Sequence, residues 1–151
     1  MSLVERLEQD MKAALKDREK GKLRLSVLRM ARAALKNAEI NRRRPLTEED
    51  VIEVLAREVK QRQDAMEEYR RLGREDAAAR LQEEIAILEE YLPARLTEEE
   101  IRELARDAIA KTGAVGPRDI GKVMGYLMPQ VKGRADGRRV NEIVKEMLEA
   151  L

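Results

Sequence analysis

Apolar residues in this chain recur at intervals of three and four, segment after segment, and nowhere alternate as a half-buried strand requires. Val4, Leu7, Met11 and Leu15 begin the pattern. Leu23, Val27, Met30, Ala31, Ala34, Leu35 and Ala38 form a broad apolar arc of a second helix, over about Lys22 to Glu39. Val51, Leu55, Val59, Met66, Tyr69 and Leu72 make a third stripe, and Ala77, Leu81, Ile85, Leu88 and Leu92 a fourth. Ile101, Leu104, Ala105, Ala108 and Ile109 make a fifth, and Ile120, Val123, Met124 and Leu127 a sixth that ends near Pro129. Val140, Ile143, Val144, Met147 and Leu148 make a seventh. The expectation is an all-α chain of seven helices. Phe and Trp are absent, so Leu, Val, Ile, Met and Ala must fill the core.

End signals bracket these stripes. Ser2 with Glu5, and Thr97 with Glu100, have the spacing of a capping box. Thr47 and Asp136 are expected N-caps, with Glu48, Glu49 and Asp50 placed where the helix dipole favours acids. Gly73 and Gly113 read as C-terminal breakers, and the third and fourth helices as an antiparallel hairpin around Gly73. A turn is expected within Asp17 to Lys22. Pro93, in LPARLTEEE, marks the best internal boundary. It divides a four-helix N-terminal subdomain, 1–93, from a three-helix C-terminal subdomain, 96–151.

Composition narrows the chemistry. With no Cys there is no thiolate nucleophile and no zinc-thiolate site; with no His the commonest general base and metal ligand are missing. The carboxylates Glu83, Glu84, Glu89 and Glu90 read as helix surface charge rather than metal ligands. The expectation is a non-enzyme without cofactor or metal. No apolar run reaches the ~20 residues of a membrane span, and the N-terminus lacks a secretory apolar region, so a cytoplasmic location without membrane contact is expected.

Charged residues make up 40% of the chain, against a usual figure of about 25%, and they are segregated. Residues 1–46 carry a net +7, residues 47–110 a net −9 and residues 111–151 a net +3. Two basic ends point to an anionic partner more strongly than the overall +1. In the last forty residues Gly121, Gly125 and Gly133 allow close backbone approach. Lys122, Lys132, Arg134, Arg138 and Arg139 supply positive charge, and the helix start near Asp136 supplies oriented N–H groups, although Asp136 itself opposes an anion. A second basic face is expected on helix two from Lys22, Arg29, Arg32 and Lys36, followed by Arg42 to Arg44. The alternative for both groups is that their cations are solvated or paired with the acidic middle. Three scattered tyrosines do not make a base-stacking platform, so any bound RNA is expected to be folded and recognised by shape and backbone.

RLSVLRMARAALKNAEI, LAREVKQRQDA, EEYLPARLTEEEI and GKVMGYLMPQVKGRADGRRVNEIVKEML together resemble the YqeY family of stand-alone bacterial proteins. That family is similar to the C-terminal helical and tail domains of GatB, a subunit of the glutamine-dependent amidotransferase that acts on misacylated tRNA. The resemblance covers essentially the whole chain. It implies two unequal bundles of four and three helices and a contact with tRNA, without the carbon–nitrogen ligase chemistry, which belongs to a separate upstream domain of GatB. Two further readings stand beside it: a protein adaptor that docks on amidotransferase subunits or an aminoacyl-tRNA synthetase, and an amidotransferase in its own right.

Overall fold

A computed structural model describes all residues, 1–151, and contains helices and no strands. Contacts divide the chain into two compact units, Met1–Leu92 and Pro93–Leu151.

The first unit holds α1 (Leu3–Lys16), a 3₁₀ turn (Arg18–Gly21), α2 (Lys22–Arg42), α3 (Glu48–Arg71) and α4 (Glu75–Glu89). Its core is aliphatic apart from Tyr91, with Leu7, Leu28, Leu35, Leu55, Ile85 and Leu88 almost fully buried. Ser2 and Thr47 cap α1 and α3 through their hydroxyl groups. Asp50 completes a reciprocal capping box by accepting from Thr47 N. Gly73, at φ +74°, ends α3 and lets α4 fold back on it. Gly21 is required for a different reason: a Cβ there would fall inside the backbone of Ala14, so α1 and the 3₁₀ turn meet only because this residue has no side chain.

Two polar contacts cross this core. Arg62 is buried between Glu58 and Glu84, at 3.3 and 3.1 Å. The Tyr91 hydroxyl donates to the Asp10 carboxylate, and the Arg6 guanidinium lies 4.6 Å above the Tyr91 ring.

The second unit holds α5 (Glu98–Thr112), a 3₁₀ turn (Pro117–Asp119), α6 (Ile120–Val131) and α7 (Gly137–Glu149). Ile101, Ala105, Val123, Leu127, Val140, Ile143, Val144 and Leu148 meet in its core. Thr97 and Glu100 form the expected capping box, and Gly113, at φ +70°, closes α5.

Several expectations shift. The Asp17–Lys22 turn is a 3₁₀ helix. Helix two runs on to Arg42, whose guanidinium meets the Asp50 carboxylate at 2.6 Å and Glu53 at 3.5 Å. Helix six passes through Pro129 to Val131: in the last turn the missing N–H frees only the carbonyl of Gly125. Leu15, Met30 and Leu72, counted with the buried stripes, are 59%, 53% and 65% exposed. Leu15 and Leu72 lie at helix ends, where periodicity still holds but no neighbouring element covers them. Met30 lies at the margin of its stripe, where the Arg62 guanidinium reaches its sulfur at 3.9 Å but leaves the rest of the side chain open.

Candidate nucleic-acid interface

α6 buries Val123, Leu127 and Val131 on one side. At 100° per residue the opposite arc carries Gly121, Lys122, Gly125, Tyr126 and Pro129, and all five are exposed. A Cβ built on Gly121 or Gly125 would meet nothing within 4 Å. Neither glycine is needed for packing within the chain, and neither has the left-handed φ that would require it. The arc is a strip of bare helical backbone, flanked by the Lys122 ammonium and the Tyr126 ring.

Tyr126 and its neighbour Lys111 are not among the RNA-binding residues expected from sequence. Hydrogen bonding to Tyr126, and then the charge of Asp107 at 3.4 Å, hold the Lys111 ammonium above its ordinary pKa. The signal was available: Gly121, Lys122, Gly125 and Tyr126 share one side of a helical wheel. On the 3₁₀ turn before α6, the Asp119 carboxylate accepts from Val115 N at 2.9 Å. That bond, with a smaller contribution from Lys122, lowers its pKa.

Beyond α6, Lys132 is the exposed C-cap and Gly133 turns the chain at φ +77°. Arg134 is held inward: its carbonyl accepts from Leu96 N at 2.8 Å and its Nε donates to the Ala94 carbonyl at 3.3 Å. Arg134 also lines a cleft of about 300 Å³ with Glu100 and Glu103, an unfavourable setting for an anion. Asp136 caps α7 and accepts from Arg138 N at 3.1 Å. With a carboxylate on its first turn, this helix start does not present the open donors expected of it. Arg138 points to solvent. Arg139 reaches Glu98 at 2.7 Å and Glu142 at 3.1 Å, which raises its pKa and lowers that of Glu98.

The C-terminal residues therefore divide into two sets. Gly121, Lys122, Gly125, Lys132 and Arg138 are exposed, whereas Arg134 and Arg139 tie the 132–139 segment to residues 94–98. The cations of α2 divide likewise. Arg32 pairs with Glu8 at 3.0 Å and Arg24 with Glu90 at 2.8 Å, while Arg42 and Arg44 converge on Asp50, whose carboxyl Arg44 and Thr47 hold well below its ordinary range. Arg29 and Lys36 remain exposed. No cluster of three carboxylates is placed to hold a metal ion, and every buried polar side-chain atom has a partner. No helix is long and apolar enough to cross a membrane.

These features define an all-α protein of seven α-helices in two compact units, with a glycine-bared, cation-flanked helix face on the second. The chain belongs to the family described as Yqey-like protein, whose model matches residues 4–148. It is also similar to a fungal protein, "Altered inheritance of mitochondria protein 41, mitochondrial", of Pyrenophora tritici-repentis (strain Pt-1C-BFP). The two are 30% identical over 152 residues, covering 98% of this chain and 82% of the relative.

Proposed function

We propose that this protein is a non-catalytic tRNA-binding accessory factor that grips the RNA backbone with the outer arc of α6. The observation that carries this reading is the open space over Gly121 and Gly125. Glycine inside a helix is about 1 kcal/mol less favourable than alanine. Two of them on one exposed face, unused by the fold, suit a partner whose backbone must come close. Lys122 beside them, with Lys132 and Arg138 in the following segment, gives that partner negative charge. The choice of tRNA rests on the likeness of residues 121–148 to the GatB tail. The lack of His and Cys supports binding over catalysis.

Titration of labelled tRNA by fluorescence anisotropy tests the reading. Affinity is expected to fall steeply with salt, and each of Lys122→Ala, Lys132→Ala and Arg138→Ala to reduce the salt slope by about one. Arg134→Ala and Arg139→Ala are poor probes, because both unfasten the 132–139 segment. A triple variant that binds like the wild type, with the same slope, defeats the proposal.

A further inference from the structure

α2 sorts its cations. Arg24, Arg32 and Arg42 are neutralised by Glu90, Glu8 and Asp50. Lys22, Arg29 and Lys36 are exposed and make no ion pair. They stand seven residues apart, in a row on the outer side of the helix, with about 10.5 Å between successive Cα atoms along the axis. Beside this row runs a second line, Ser26, Met30, Ala33, Asn37 and Ile40, at steps of four, three, four and three. All five are exposed, Met30 by 53% and Ile40 by 71%. At its N-terminal end the line borders a groove of about 750 Å³ lined by Leu23, Ser26 and Ala79, by Lys22 and Arg80, and by the carboxylates Glu19, Asp76 and Glu83. The open cationic stretch of the face is therefore that of Arg29 and Lys36.

A 3–4 line that carries Met30, Ala33 and Ile40 with the polar Ser26 and Asn37 before and between them, flanked on one side by like charges at sevenfold spacing, resembles the pattern by which one helix receives another. Ser26 and Ala33 leave room for a helix to approach, Met30 and Ile40 supply apolar contact, and the cationic row selects opposite charge. We propose that the outer face of α2 docks a single amphipathic helix of another protein, apolar on its 3–4 seam and acidic at flanking positions seven apart. Nucleic acid fits less well. Phosphates would satisfy the three cations but would leave Met30 and Ile40 uncovered. The proposal is independent of the α6 reading, since it uses other residues on the other unit.

The full-length, isotope-labelled chain is titrated with a three-heptad synthetic peptide carrying Leu and Ala on the seam and Glu at the flanks. Parallel titrations use the same peptide with Lys in place of Glu, and a short RNA duplex. The acidic peptide is expected to shift α2 amide signals selectively and to bind about tenfold or more tightly than the Lys peptide. Lys22→Glu, Arg29→Glu and Lys36→Glu together should reverse that preference, and Met30→Asp should weaken the acidic peptide about tenfold. All four side chains are exposed, so far-ultraviolet circular dichroism should show each variant folded. The proposal is overturned if the acidic peptide leaves α2 unshifted, or if both peptides bind alike. It is also overturned if the RNA duplex occupies α2 in a manner indifferent to Met30→Asp, or if α2 proves to be covered by a second copy of the chain. Loss of tRNA affinity in the α6 variants, with peptide binding intact, separates the two proposals.

Discussion

Replacing Gly121 and Gly125 by alanine should stabilise the protein while weakening RNA binding. Both residues lie within α6, neither has a positive φ, and a Cβ at either would meet no atom within 4 Å. Nothing in the chain offsets the intrinsic gain of alanine over glycine, which is about 0.8–1 kcal/mol at the interior Gly125 and smaller at Gly121 in the first turn, so about 1–2 kcal/mol for the pair. In a chain of this size, 1 kcal/mol corresponds to a shift in Tm of roughly 2–4 °C. Urea denaturation followed by circular dichroism at 222 nm measures the stability change. Two methyl groups on the face that approaches the RNA should at the same time weaken tRNA about tenfold, roughly 1.4 kcal/mol, in anisotropy titrations. The opposite signs make the test discriminating, because a misfolded variant would lose both. Increased stability with unchanged affinity would refute the contact face. Decreased stability would refute the exposure of the glycines.

Gly21→Ala should behave in the opposite way and destabilise the first unit by about 1–3 kcal/mol, because its Cβ meets the backbone of Ala14, which cannot rotate aside; the same urea titration reads it. Arg62→Met should lower stability by about 3 kcal/mol by leaving Glu58 and Glu84 without their cation, and a double-mutant cycle with Glu84→Gln should recover part of the loss. Acid should weaken both units. Asp50 and Glu98 have folded pKa values lowered from 3.8 and 4.5 by Arg44 and Arg139, so their contribution is present above those unfolded values and is lost as pH falls below them. Denaturation midpoints measured from pH 7 to pH 2 should therefore decline from about pH 4.5 downward, and less so in Asp50→Asn.

Helix starts and stops were legible because they are local. Thr47, Thr97 and Asp136 each satisfy a donor two or three residues away, and Gly73 and Gly113 adopt their left-handed turns at the end of their own helices. Charge partners were not legible because they are distant in sequence. Arg32 and Glu8 are 24 residues apart, Arg139 and Glu98 are 41, and Arg24 and Glu90 are 66. Without those pairs Arg139 looks equivalent to Arg138, and Arg32 to Arg29. Without its bond to the Ala94 carbonyl, 40 residues away, Arg134 also looks equivalent to Arg138. The structure separates each held cation from its free neighbour.

By itself the sequence determined the all-α class, the seven helices and most of their ends, because a period of 3.6 and a capping residue act within one or two turns. It also placed glycine and positive charge together in residues 121–139. Only the tertiary structure decided which of those groups face outward. A glycine is a turn, a packing contact or a bare surface according to what lies beyond its missing Cβ. Gly133 turns the chain, Gly21 admits α1, and Gly121 and Gly125 face open space. That difference is set by neighbours brought in from elsewhere in the chain, which no local pattern records.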